Sequence, residues 1–210
     1  MICLIADDHP MYRSAIAGML RLDFPEFELL EASSMKEIMK ISDNKVKPDF
    51  VLLDLTMPGV SGFSALLFSL SAWPDASVII LSANTSNDVA DKSIAFGASA
   101  FVSKQAAADE VAETIRRVIN SEEKIIVGLE KLITEDSIMA GKLKKLTPRQ
   151  FEIVLLVAEG YLNKQIADKL FLSLSTVKNQ VSTILKFLEL SSRTHLALVM
   201  KKFEVEDIND

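Results

Sequence analysis

The sequence predicts an α/β chain: a five-stranded, doubly wound parallel sheet over its first half, followed by a second, smaller all-α domain. Three observations lead there. Over residues 1–121, short apolar runs alternate five times with segments of helical period, the pattern of repeated β/α units. Residues 145–203 read instead as helices separated by brief turns. The charge divides at the same place: residues 1–121 hold 10 Lys and Arg against 16 Asp and Glu, whereas residues 145–203 hold 9 against 4. An acidic front and a basic back point to two domains with different partners.

Length and composition agree. A chain of 210 residues has room for two modest domains, and 49% hydrophobic with 25% charged residues is ordinary for a globular protein. With Gly at 7 and Pro at 6, collagen-like and low-complexity scaffolds are excluded. A lone Cys3 has no second cysteine for a disulfide, which fits a reducing compartment. The start of the chain lacks the basic and apolar regions of a leader, and no apolar stretch approaches the roughly 18 residues of a membrane span. A cytoplasmic protein is expected.

Element by element, the strands fall at Ile2–Ala6, Phe27–Glu31, Phe50–Leu53, Val78–Leu81 and Ala100–Val102, the third and fourth apolar enough to be buried on both faces. Between them, Met11–Leu22, Met35–Ile41, Phe63–Leu70, Val89–Phe96 and Val111–Ile119 carry apolar residues at helical spacing, with Gly97 placed to end the fourth. In a sheet of this kind the ligand crevice lies beyond the carboxyl ends of the strands. The residues there are Asp7 and Asp8 after the first strand, Asp54 after the third, Ser82 after the fourth and Lys104 just past the fifth. Three carboxylates and one ammonium in one crevice call for a hard divalent cation, and Mg²⁺ suits carboxylate and phosphoryl oxygens. With two acids holding the metal, Asp54 is free to attack phosphorus, and Lys104 and the metal would balance charge on the equatorial oxygens.

Residues 1–121 also resemble the receiver domain of two-component response regulators, a flavodoxin-like fold. The likeness rests on Ala6-Asp7-Asp8-His9, Leu53-Asp54-Leu55-Thr56-Met57-Pro58-Gly59, Gly62, Ser82-Ala83, Gly97-Ala98 and Lys104. It implies that Asp54 accepts a phosphoryl group from a sensor histidine kinase. Asp7 or Asp8, with Asp54 and the Thr56 carbonyl, would surround Mg²⁺, and Ser82 and Phe101 would form the switch pair. The sequence departs from the pattern where Gln105, not proline, follows Lys104, and where the switch aromatic is Phe rather than Tyr.

Residues 122–144 read as a linker with one helix around Leu129–Ile138. The domain that follows, 145–210, ends in a short acidic tail. Thr147, Pro148 and Gln150 form a capping box for a helix running to Glu159-Gly160; Asn163 is placed to cap a second helix through Leu170, and Ser173 or Ser175 a third through Leu188. The short Phe171-Leu172-Ser173 turn gives helix-turn-helix spacing. On the third helix Lys178, Asn179 and Ser182 share a face that can read base edges, flanked by Thr176 and Gln180, while Lys164, Lys169 and Lys186 suit phosphates.

This half resembles the LuxR/NarL-type DNA-binding domain through Leu146-Thr147-Pro148-Arg149, Val157-Ala158-Glu159-Gly160, Asn163-Lys164-Gln165-Ile166-Ala167 and Leu174-Ser175-Thr176-Val177-Lys178. Gln180 stands where that family usually has His, and Glu189 where a Gly often ends the helix. A last helix, Ser192–Phe203, aligns Leu196, Val199, Met200 and Phe203. Core packing accounts for that stripe as well as the pairing of two copies on DNA, which the resemblance implies for this helix.

Together the resemblances imply a phosphorylation-dependent transcriptional regulator that binds double-stranded DNA as a homodimer, with RNA polymerase as a candidate partner. The alternative is a phosphorylation-independent DNA-binding regulator whose receiver is constitutively dimeric or responds to another ligand. No enzyme activity is expected beyond slow autophosphorylation and autodephosphorylation at Asp54. A phosphatase would need an acid two residues after the nucleophile, and that residue is Thr56.

Overall fold

Alternating β/α units whose strands run in one direction can place consecutive strands side by side or jump across the sheet, and here one jump defines the architecture. In the computed structural model, which describes residues 1–120 and 135–204, strands β1 (Ile2–Ala6), β2 (Glu28–Ala32), β3 (Phe50–Leu53), β4 (Ser77–Ser82) and β5 (Ala100–Ser103) pair in parallel in the order β2-β1-β3-β4-β5. The order reverses between β1 and β3, so a crevice opens at their carboxyl ends, where Asp7 and Asp54 stand. β3 is buried along its whole length, as its unbroken apolar sequence requires. The second strand begins one residue later than its sequence suggests, because the Phe27 amide donates to the Phe24 carbonyl at 3.0 Å in the preceding turn; the Phe27 ring stacks between Phe24 and Phe50, with centroids 5.1 and 5.5 Å away.

Helices α1 (Pro10–Asp23) and α5 (Ala108–Asn120) cover one face of the sheet, with Ile16, Leu20, Val111 and Ile115 in the core between them. Helices α2 (Met35–Asp43), α3 (Ser64–Ala72) and α4 (Asn87–Phe96) cover the other. Gly97 ends α4 at φ +111°, a left-handed conformation that a side chain would strain.

The helical half consists of α6 (Glu135–Leu143), α7 (Pro148–Ala158), α8 (Asn163–Leu170), α9 (Leu174–Phe187) and α10 (Arg193–Lys201). Thr147 and Gln150 make the expected reciprocal cap at the start of α7. Ser173, rather than Ser175, caps α9 by accepting from the Thr176 amide at 3.0 Å. Asn163 does not cap α8: it is the first helical residue, and the Gln165 side chain reaches back to accept from the Leu162 amide at 2.8 Å.

The segment read as a linker is helical in its second half. α6 overlaps the helix expected around Leu129–Ile138 only over residues 135–138, and the remainder of that expectation lies outside the described residues. Ala140 and Leu143 of α6 are fully buried, so this stretch belongs to the packed structure.

α3 explains why. A helix on one face of a sheet ordinarily turns a polar stripe to solvent, but α3 carries no charged residue, and Ser64 through Ser71 are all buried. Its outer side is covered by the helical half. Phe68 meets Phe151 of α7 edge-on at 6.0 Å, and the Ser71 hydroxyl donates to the Leu146 carbonyl. One hydrophobic cluster therefore runs from the α2–α4 layer into α7, α9 and α10.

Candidate functional site

The acidic crevice is built by the ends of three strands. Asp7 follows β1 and Asp54 follows β3, each 1% exposed, and Lys104 follows β5. Lys104 Nζ lies 2.7 Å from Asp54 Oδ2 and 2.8 Å from Asp7 Oδ2, so one ammonium bridges both buried carboxylates. Burial alone would pull the Lys104 pKa down; its contacts with Asp54 and Asp7 outweigh that and hold it above the ordinary 10.5. The Tyr12 ring lies 5.2 Å from the same ammonium, and its hydroxyl is pushed up to about 12 by burial and by the charges of Asp7 and Asp54.

Around Asp54, the Thr56 amide donates to Oδ1 at 3.1 Å and its hydroxyl lies 3.0 Å from the same oxygen. The His9 amide donates to Asp7 Oδ1 at 2.8 Å, and its ring nitrogen Nδ1 sits 2.8 Å from Asp8 Oδ1. Each of Asp7, Asp8, His9 and Asp54 offers a ligand atom within 4.8 Å of the others. Asp7 Oδ2 and Asp8 Oδ1 are buried, the first facing the Lys104 ammonium and the second the His9 ring. Lys104 provides only one of the positive charges that three carboxylates demand, and clustered carboxylate oxygens are the donor set of a hard divalent cation. The three carboxylates therefore fit Mg²⁺, whereas the His9 ring beside them is a nitrogen donor that suits this ion poorly.

Ser82 is buried at the end of β4, its hydroxyl accepting from the Asn84 amide at 3.1 Å, and Phe101 of β5 is half-buried against the α4 side of the core. The crevice thus gathers Asp7, Asp8, Asp54, Thr56 and Lys104 directly, with Ser82 on the adjoining strand end.

At the other end of the chain, α9 buries Val177, Val181 and Ile184 and turns Lys178, Asn179, Ser182 and Lys186 outward, all exposed. Thr176 is exposed but engaged in the cap, with its hydroxyl 2.8 Å from that of Ser173. Gln180 is half-buried, its amide oxygen accepting from Gln150 Nε2 at 3.3 Å, so in this conformation it braces α7 against α9. Lys164 is exposed at the start of α8, and Lys169 lays its ammonium over the Tyr161 ring at 4.5 Å.

The stripe on α10 faces inward. Leu196, Met200 and Phe203 are buried and Val199 is half-buried; α10 packs on α7 and α9, and Phe203 packs on Phe96 of α4. Apolar residues at helical spacing fill the chain's own core here, and the exposed apolar residue of α10 is Leu198, 61% accessible. Sequence reasoning missed α3 as a docking surface. The signal was its lack of any charged residue.

A parallel-sheet domain with an aspartate-rich crevice and a lysine bridge, joined to a helix-turn-helix unit, defines a response regulator. The comparisons agree: residues 3–116 match the response regulator receiver domain family, and residues 144–207 match the bacterial regulatory proteins of the luxR family. The chain belongs to the LuxR family of response regulators. It is 31% identical to the glycerol metabolism activator of Pseudomonas putida over 93% of this chain and 92% of that protein. It is likewise 31% identical to the transcriptional regulatory protein LiaR of Bacillus subtilis, over 93% of this chain and 94% of that one. Among solved structures it shares its fold with RcsB of Salmonella typhimurium, at a TM-score of 0.53, 21% identity, and coverage of 96% of this chain and 99% of that one. No helix among the described residues is long and apolar enough to cross a membrane.

Proposed function

We propose that this protein is a phosphorylation-dependent transcriptional regulator in which Asp54 is the phosphoacceptor and α9 reads DNA. The observation that carries this reading is the buried bridge from Lys104 to both Asp54 and Asp7. It orients the Asp54 carboxylate at the crevice floor, with an ammonium ready for the charge of an incoming phosphoryl group. An Asp54 oxygen attacks the phosphorus of a phosphohistidine on a sensor kinase; the P–N bond breaks, and the imidazole leaves with the electron pair. Asp7, Asp8 and Asp54 with the Thr56 carbonyl would hold Mg²⁺, which when bound offsets charge on the transferred oxygens. Ser82 and Phe101 are assigned to the switch. Thr56 offers no acid for rapid hydrolysis, so self-dephosphorylation is slow.

Lys178, Asn179 and Ser182, with Thr176 and Gln180 at the margin, contact bases, while Lys164, Lys169 and Lys186 hold phosphates. A homodimer on two half-sites, with RNA polymerase as a further partner, follows from this reading, as does a cytoplasmic site of action. Solved relatives support it: RcsB of Salmonella enterica serovar Typhimurium, 22% identical with a TM-score of 0.51, was captured on a promoter in the presence of the phosphomimetic BeF₃⁻.

The test is selection of bound duplexes from a random pool with and without Mg²⁺ and beryllofluoride, beside Asp54→Asn. Enrichment of a paired motif only with the mimic, and only when Asp54 is intact, supports the reading. Equal enrichment in all samples removes phosphorylation dependence. The open recognition face of α9 favours that second reading, a regulator whose DNA binding does not depend on Asp54.

A further inference from the structure

The outward face of α9 reaches one turn further toward the helix start than Lys178. Leu174, Lys178 and Ser182 fall at i, i+4 and i+8, so their side chains line up along one side of the helix, and all three are exposed. Successive members stand about 6 Å apart along the axis. A single exposed leucine is ordinary on a protein surface and by itself points to nothing. Leu174 differs by its place: it is the first residue of α9, and in helix-turn-helix units the start of the recognition helix approaches the base edges.

The polar groups around Leu174 are already engaged. The Ser173 hydroxyl accepts from the Thr176 amide at 3.0 Å and lies 2.8 Å from the hydroxyls of both Ser175 and Thr176. The three hydroxyls of the first turn thus form one cap network, and turning them toward a base would weaken the start of α9. Residues 170–177 carry no charge, and the large apolar side chains exposed among them are Phe171, 96% accessible, and Leu174, 42% accessible. This end of the helix therefore offers apolar surface, on a domain where Lys164 and Lys178 offer ammonium groups to a polyanion. In the major groove, the apolar feature that distinguishes one standard base from the others is the C5-methyl group of thymine.

We infer that Leu174 is a specificity-determining residue that reads the C5-methyl group of a thymine in the major groove of double-stranded DNA. The inference rests on the reading of α9 as the DNA-reading helix and adds what its first turn selects. The T·A pair lies within about two base pairs of the one that Lys178 contacts, because about 6 Å of helix spans about two steps of 3.4 Å along the duplex. Phe171 precedes the helix, outside the row of Leu174, Lys178 and Ser182, and is assigned no base. Because a methyl group is read rather than a hydrogen-bonding pattern, 5-methylcytosine presents the same feature. Cytosine methylation at this position raises affinity.

Deoxyuridine lacks only that methyl group and pairs as thymidine does, so each thymine of the selected duplex can be replaced in turn and the affinity of the full chain measured at fixed salt. One thymine per half-site weakens binding about fourfold when replaced, the worth of burying one methyl group. At the same position, a 5-methylcytosine·guanine pair binds severalfold better than cytosine·guanine. In Leu174→Ala both ratios fall to about one, and in Leu174→Met, which keeps the apolar reach, they persist. They also persist in Phe171→Asn, since asparagine tolerates the left-handed backbone at this residue. Each ratio compares two duplexes with the same protein, so a change in stability does not enter it. If no thymine is sensitive to loss of its methyl group, or if the sensitivity survives in Leu174→Ala, the inference is wrong while α9 still reads DNA. If no duplex is enriched over scrambled sequence, the reading of α9 fails and takes the inference with it.

Discussion

The acidic crevice and the recognition face of α9 solve opposite problems. In the crevice, Asp7 and Asp54 are buried and share one ammonium, so their positions are fixed before any ligand arrives. On α9, Lys178, Asn179 and Ser182 stand in solvent, and on the proposed reading their order comes from DNA. A site for chemistry on one small group is organised in advance. A site for a long, charged surface is left adaptable and relies on charge to bring its partner. Mutations should accordingly cost stability in the first region and binding in the second.

The sharpest break of that contrast is Lys104→Ala. Removing the ammonium leaves two buried carboxylates uncompensated, and such a loss costs about 3–5 kcal/mol. Chemical denaturation in chelator should show this drop, and Mg²⁺ should restore part of it, because the cation supplies the missing charge. An unchanged midpoint would mean that the bridge is not a structural element. The pH dependence has a definite sign. The folded pKa of Lys104 is raised above 10.5, so its contribution is complete below 10.5 and is lost as pH climbs through the higher folded value. The alkaline loss of stability expected of the parent should therefore be flatter in Lys104→Ala.

Tyr12 sharpens the comparison by reporting the crevice charge optically. Its hydroxyl should ionise near 12 rather than 10. Tyrosinate absorbance compared with Tyr12→Phe isolates that step. Burial is the largest cause of the shift and remains when one carboxylate is neutralised, whereas the share from Asp7 is then lost. Asp7→Asn should therefore lower the Tyr12 midpoint without returning it to 10, and an unchanged midpoint would argue that the crevice charge does not reach this ring.

On the recognition face, two lysines should behave differently. Lys178→Ala should cost about 1–3 kcal/mol on the selected site and relax the preference at one base pair. Lys164→Ala should weaken all duplexes alike and reduce the slope of log affinity against log salt by roughly one. Titrations at several salt concentrations on selected and scrambled duplexes separate the two. If both variants lose affinity uniformly, Lys178 is not reading sequence. Neither change should move the unfolding midpoint, since both side chains are exposed.

The same contrast decides what the sequence could reveal. Every strand and helix of the α/β half was legible, because burial on a parallel sheet imposes long apolar runs and helical periods, and the crevice residues stood out by their place after each strand. The capping box at Thr147 and the outward face of α9 were equally plain. What lay beyond reach depended on contacts between distant segments. Leu196, Met200 and Phe203 form a stripe that fits either a partner or the chain's own core, and periodicity cannot choose between them. Asn163 is a good cap by residue type, yet the Gln165 side chain takes that role one position earlier. The packing of α7 on α3 left one trace, the missing charges of Ser64–Ala72, which periodicity alone passes over because the helix is apolar all round.

The smallest expected effect lies where the sequence departs from its family at the end of α9. Glu189 sits at φ +59°, in the left-handed region where a side chain crowds the backbone, and its carboxylate pairs with Lys142 of α6 at 2.9 Å. A left-handed residue costs about 1 kcal/mol relative to glycine, whereas an exposed ion pair contributes roughly 0.2–1 kcal/mol. The backbone effect is the larger on these magnitudes, so Glu189→Gly should stabilise the protein by about 0.5 kcal/mol or less. Glu189→Gln separates the terms, since it keeps the strain and removes the charge: it should lose a few tenths of a kcal/mol, and less in high salt. Should Glu189→Gly instead lower the unfolding midpoint more than Glu189→Gln does, the Lys142 pair outweighs the strain, and the departure from glycine is a tie between α6 and α9.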